Sequence, residues 1–119
     1  MASNLGGGAR NVSLEHLTKT LAVQMGKFGI NVNSIHPGII RTERTVRTIE
    51  ARANKLGVTS EEAEALDYAD GSPRGNQINR VVEASEIGFS TAYLTSNKSW
   101  AITGLVIVAG GGSGNAVYY

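Results

Sequence analysis

Two glycine runs and a few charged side chains are the places in this sequence where chemistry could reside. The first run, Gly6–Gly8, leads into "ARNVSLEHLTKTLA". Glycines ahead of a helix can cradle a phosphate, because free backbone N–H groups and the helix dipole both favour an anion there. A dinucleotide fingerprint needs more: a strand directly before the glycines and an acidic residue about 20 residues on. Only five residues precede Gly6, and the next strand-like stretch, "INVNSIHPG", ends in His-Pro-Gly. The second run, Gly110–Gly114, follows an apolar stretch but has no helical pattern after it. Neither run is read as a phosphate cradle; the first is read as a loop ahead of a helix. His16 and His36 have no second ligand type at metal spacing, so they are read as surface or packing histidines and no metal site is expected. Arg41, Arg44 and Arg47 could meet a cofactor phosphate or an acidic substrate, but Glu43 and Glu50 interrupt them, and mixed charge along a helix marks a solvated face.

The bulk properties narrow the setting. A chain of 119 residues with 41% hydrophobic and 18% charged residues has ordinary globular composition, one domain in size. A net charge of +1 supplies no field for nucleic acid or an acidic membrane surface, and neither partner is expected. The absence of cysteine excludes disulfides, thiolate ligands and a thiol nucleophile. No apolar run reaches the ~20 residues of a membrane helix. "MASNLGGG" has neither the charged start nor the apolar core of a signal peptide, so a cytoplasmic protein is expected.

The elements that must position these residues follow from periodicity. Leu14, Leu17, Leu21, Met25 and Phe28 recur at three- and four-residue steps, backed by Val12, Ala22 and Val23, and predict a helix from Arg10 that Gly26 and Gly29 end. "INVNSI" (30–35) predicts a strand that breaks at Pro37-Gly38. Val46, Ile49, Ala53 and Leu56 predict a shorter helix stopped by Gly57; Thr59 with Glu62 fits a capping box opening another, through Leu66. Residues 67–77 carry turn residues without periodicity. A helix from about Ala84 to Thr95 turns Ile87, Ala92 and Leu94 inward, with Tyr93 at its flank. "LVIV" (105–108) is a continuously apolar strand of the kind buried in a parallel sheet, and the tail 110–119 is expected to be loose. Helices alternating with apolar strands call for a parallel sheet covered on both faces, yet two strands are too few for a stable sheet. The fold class expected is therefore α/β, one half of a doubly wound domain.

Two blocks carry a family resemblance. "LEHLTKTLAVQMGKFGINVNSIHPGIIRTE" resembles the second half of the short-chain dehydrogenase/reductase family, where a helix runs into "gIrVNxIxPGxxxT". "RVVEASEIGFSTAYLTSNKSWAITGLVIVAGG" (80–111) is similar to that family's ending, "R…PEEIA…FLxSxxaxxiTGxxixvDGG". Order, spacing and intervening length all agree, from about Gly7 to Gly111. The resemblance implies the C-terminal half of a Rossmann-type domain, without the half that holds the glycine loop and the ribose-recognising acid.

It also implies a chemistry. Family members carry a tyrosine, and a lysine four residues later, on the helix before "VNxIxPG"; the tyrosine transfers the proton, and the lysine lowers its pKa and holds the nicotinamide ribose. Carried onto this chain, those positions are Gly7 and Asn11, and no tyrosine of the sequence has a lysine four residues on. No catalytic residue is therefore expected in this chain. Asn11 either hydrogen-bonds a ribose hydroxyl or is simply an early helix residue. Pro37, Gly38, Ile40 and Thr42 match "PGxxxT", which implies the wall beside the nicotinamide: the backbone near Ile40 meeting the carboxamide, Thr42 the carboxamide or a phosphate. The alternative for them is a plain Pro-Gly turn after a strand. Residues 43–79 correspond to the substrate lid, and Ala109 stands where the family has Asp.

Two functions are compatible with these residues. One is part of an oxidoreductase using NAD or NADP, with the missing half supplied, on a carbonyl or alcohol substrate. The other is a non-catalytic relative that keeps the fold for packing, oligomerisation or regulation. Half-covered strands favour association in either case, with a second copy or with the missing half.

Overall fold

The computed structural model describes residues 5–112. In chain order the elements are α1 (Leu5–Met25), a 3-10 turn (Gly26–Phe28), β1 (Ser34–Pro37), α2 (Glu43–Leu56), α3 (Ser60–Tyr68), α4 (Ala84–Leu94), a 3-10 turn (Asn97–Ser99) and β2 (Val106–Ala109). The two strands pair in parallel, as expected for part of a doubly wound α/β sheet. Contacts divide the chain into two compact units, one reaching to His36 and resuming over Ser90–Ile107, the other comprising Pro37–Phe89 and the chain from Val108. Among the described residues no helix is long and apolar enough to cross a membrane.

In the first unit, α1 begins at Leu5, so the glycine run expected to be a loop is helical. Each glycine costs about 1 kcal/mol relative to alanine, but extending a formed helix adds one hydrogen bond per residue fixed. The helix ends as expected: Gly29 takes φ 72°, and its N–H donates to the Gly26 carbonyl at 2.9 Å. What α1 buries is Thr18 and Ala22, whereas Leu14 and Leu17 of the apolar stripe, with Val12 and Val23, are exposed. The stripe is uncovered at Leu14, Leu17 and Phe28 and half-buried at Leu21 and Met25.

The expected strand 30–35 is shifted towards the C-terminus because its asparagines pair through their side chains. Asn31 Nδ2 donates to the Trp100 carbonyl (3.2 Å), Asn33 Nδ2 to that of Ile102 (2.8 Å), and Leu105 N–H donates to Asn33 Oδ1 (3.2 Å). Between them, Val32 N–H donates to Thr103 Oγ1 (3.1 Å) and Gly104 N–H to the Val32 carbonyl (2.7 Å), so side chains carry part of the pairing until Ser34, whose N–H donates to the Leu105 carbonyl at 3.0 Å. β2 starts one residue later than expected, with Val106 and Ile107 half-buried and Leu105 exposed.

The second unit packs α2 against α3 around Ile49, Ala53, Ala63, Tyr68 and Val81, with Val58 at the margin. Gly57 closes α2 in the left-handed region at φ 71°, and the Thr59–Glu62 capping box opens α3. α3 continues past Leu66 to Tyr68, since burying Tyr68 and pairing the buried Asp67 with Arg52 and Arg74 keep the last turn wound. α4 opens where expected, with Glu86 accepting from the Glu83 N–H at 2.8 Å. Of its expected inward residues, Ile87 and Leu94 are half-buried and Ala92 is exposed. The tail is described only to Gly112; the remainder of the segment expected to be loose lies outside the described residues.

Candidate functional site

Pro37–Thr42 links the end of β1 to the start of α2, and three local devices set its path. Gly38 passes so close to Gly110 that a Cβ placed on it would lie 2.7 Å from Gly110 Cα and 2.9 Å from its carbonyl oxygen. Only a residue without a side chain fits there. Ile40 forms a parallel bridge with Val82: Val82 N–H donates to the Ile39 carbonyl (3.3 Å), and Arg41 N–H donates to the Val82 carbonyl (2.8 Å). The N–H of Ile40 takes no part in that bridge. Thr42 caps α2, its Oγ1 accepting from Thr45 N–H at 3.3 Å.

The hydroxyls of this cap are ordered. Thr45 Oγ1 donates to the Ile40 carbonyl at 2.6 Å, so at the 3.1 Å contact between the two hydroxyls Thr42 is the donor. One lone pair of Thr42 Oγ1 then remains for a ligand, which suits a carboxamide N–H better than a phosphate oxygen. Gly38, Ile39, Ile40, Thr42, Arg44, Thr45 and Thr48 line an open groove of about 460 Å³. A hydroxyl acceptor beside a glycine surface fits one edge of a nicotinamide carboxamide.

Gly38, Ile40 and Thr42 thus line one groove, and Pro37, exposed at the end of β1, precedes it without lining it. Asn11 lies in the first unit, exposed in the early turns of α1, and Gly7 lies on the same helix. His16 and His36 are exposed, and among the described residues no cluster of three or more His, Cys, Asp or Glu could hold a metal. Tyr68 belongs to the core of the second unit; burial foremost, then Glu64 and Asp67, push its phenol above the ordinary range, the opposite of what a proton-transferring tyrosine needs.

Arg41 departs from the expected solvated face. It precedes the cap, is half-buried, and donates from Nη1 and Nη2 to Glu64 (3.0 and 2.7 Å) and from Nε to Glu83 (2.7 Å). Its partners lie 23 and 42 positions away, beyond the reach of any local spacing rule. Gly110 opens the second glycine run, and its role is not a phosphate cradle but a close backbone approach to Gly38.

Comparison with known proteins identifies the family of the chain. Residues 7–113 match a family model described as enoyl-(acyl carrier protein) reductase. The chain is 33% identical over 103 residues to the NADPH-dependent reductase BacG of Bacillus subtilis, covering 87% of this chain and 38% of that protein. It is 34% identical over 97 residues to the oxidoreductase UcpA of Escherichia coli, covering 82% of this chain and 34% of that one. The crystal structure of YwfH, an NADPH-dependent reductase involved in bacilysin biosynthesis, superposes with a TM-score of 0.71 at 30% identity, over 90% of this chain and 39% of that one. The chain therefore spans less than two fifths of the length of these relatives, and it belongs to the short-chain dehydrogenase/reductase family.

Proposed function

We propose that this chain supplies the nicotinamide-facing wall and the substrate-covering segment of an NAD(P)-dependent oxidoreductase that moves hydride between the cofactor and a small carbonyl or alcohol substrate. The observation that carries this reading is the build of Gly38–Thr42, where Thr42 Oγ1 keeps one acceptor position beside a glycine surface that lines the same groove. A bound nicotinamide would supply the hydride. Ile40 would donate to the carboxamide oxygen, Thr42 would accept from its amide group, and Pro37 and Gly38 would shape the pocket floor. Asn11 would meet a ribose hydroxyl. The adenosine and pyrophosphate ends would be held by a glycine-loop half of the kind found in the family, and residues 43–79 would cover the substrate. BacG of Bacillus subtilis and YwfH, both named as NADPH-dependent, support a nicotinamide cofactor without fixing NAD or NADP here.

A second reading, a non-catalytic family member kept for packing or regulation, is favoured by one observation: Gly7 and Asn11 stand where the family has its tyrosine and lysine. Joining the N-terminal portion of the Bacillus subtilis reductase to this chain ahead of Gly7 tests both readings. The oxidoreductase reading predicts that the complemented protein binds NADPH or NADH, and that Gly7→Tyr with Asn11→Lys raises turnover by about 10²-fold or more, the scale of general acid–base catalysis. Binding without any gain in turnover favours the second reading, and a folded protein indifferent to both cofactors contradicts the first.

A further inference from the structure

Arg41 stands between Ile40 and Thr42, the two residues assigned to the carboxamide, and each of its three guanidinium nitrogens donates to a carboxylate. Nη1 and Nη2 grip Glu64 of α3 in a bidentate pair at 3.0 and 2.7 Å, while Nε holds Glu83, the residue before α4, at 2.7 Å. Its backbone N–H is fixed as well, donating to Val82 at 2.8 Å. One residue thus joins the wall to α3 and to the start of α4. Isolated surface ion pairs contribute little, but a planar fork shared by two carboxylates is a geometric constraint that a lysine cannot reproduce. Without the guanidinium, two carboxylates are left facing each other across the wall.

We propose that Arg41 is a positioning residue that clamps the wall segment Ile40–Thr42 to α3, so that cofactor contact and the placement of α3 are set together. This rests on reading Pro37–Thr42 as the cofactor wall. Backbone amide exchange in the 119-residue chain examines the clamp without cofactor. Arg41→Gln speeds exchange at Arg41, Val82 and the α3 amides by about tenfold or more, while α1 and Gly104 are unchanged. Arg41→Lys, keeping the charge but not the fork, behaves like Arg41→Gln rather than the parent. If Arg41→Gln fails to fold, Glu64→Gln, which spares the Glu83 arm, is read at the same amides. Parent-like exchange in Arg41→Lys, or no change in Arg41→Gln, overturns the proposal. In the complemented protein Arg41→Lys weakens NADPH binding by about tenfold at unchanged Tm; an unchanged Kd reduces Arg41 to a structural tie and also overturns it. Failure of the complemented parent to bind NADPH defeats the wall reading instead, and the exchange pattern still decides the clamp.

Discussion

At the scale of residues, the wall is made by a hydroxyl relay and one missing side chain. Thr42 serves two ends, capping α2 and leaving a single lone pair towards the groove. Thr42→Val therefore costs about 1 kcal/mol of stability, the usual worth of an N-cap, measurable by denaturant unfolding, and weakens cofactor binding in the complemented protein. An unaltered midpoint would show that the cap is idle. Glu86 carries the clearest pH dependence. Arg80, pairing with it at 2.8 Å, and the Glu83 N–H hold its carboxyl at about 2, below the ordinary 4.5. A carboxyl depressed on folding adds stability above its unfolded value and loses it as the pH falls through the folded one. Acid titration should then show the parent losing stability more steeply than Glu86→Gln between pH 4.5 and about 2; parallel curves would contradict this. The sequence proposes Pro37, Gly38, Ile40 and Thr42 because they lie close together between a strand-like and a helix-like stretch, and the fold sets Gly38, Ile40 and Thr42 along one groove. Arg41 is not, because its role depends on carboxylates that only the fold brings near.

At the scale of elements, the sequence is most legible where local chemistry sets a boundary. Gly57 and the Thr59–Glu62 box mark the junction of α2 and α3, since a left-handed cap and reciprocal side-chain bonds need no tertiary help. Boundaries set by distant partners are displaced. β1 begins late because the side chains of Asn31, Asn33 and Thr103 carry part of its first pairings, and α3 runs on because Asp67 finds two arginines. The glycine run is the reverse case, a local breaker wound into a long helix. The same physics makes two opposite glycine predictions. Gly88 lies within α4, and a Cβ added to it would have no atom within 4 Å, so Gly88→Ala raises stability by about 0.5–1 kcal/mol. Gly38→Ala meets backbone at 2.7 Å and costs about 1–3 kcal/mol. Thermal unfolding of both variants checks the signs, and a tolerated Gly38→Ala would refute the close approach to Gly110.

At the scale of the whole molecule, the chain spans less than two fifths of the length of the relatives it matches. α1 exposes Val12 at 66%, Leu14 at 54%, Leu17 at 50% and Val23 at 73%, more apolar surface than one solvated helix face usually carries. Such a face fits cover by a second copy or by a glycine-loop half. The 119-residue chain alone should therefore self-associate or bind a hydrophobic dye, and a compact monomer that does neither would count against this. The central claim is that Pro37–Thr42 faces a nicotinamide, and the most direct measurement is to titrate NADPH into the isotope-labelled complemented protein and follow its backbone amides. The account predicts saturable shifts at Ile40 and Thr42, with Asn11 responding; a folded protein in which neither NADPH nor NADH moves Ile40 and Thr42 would contradict it.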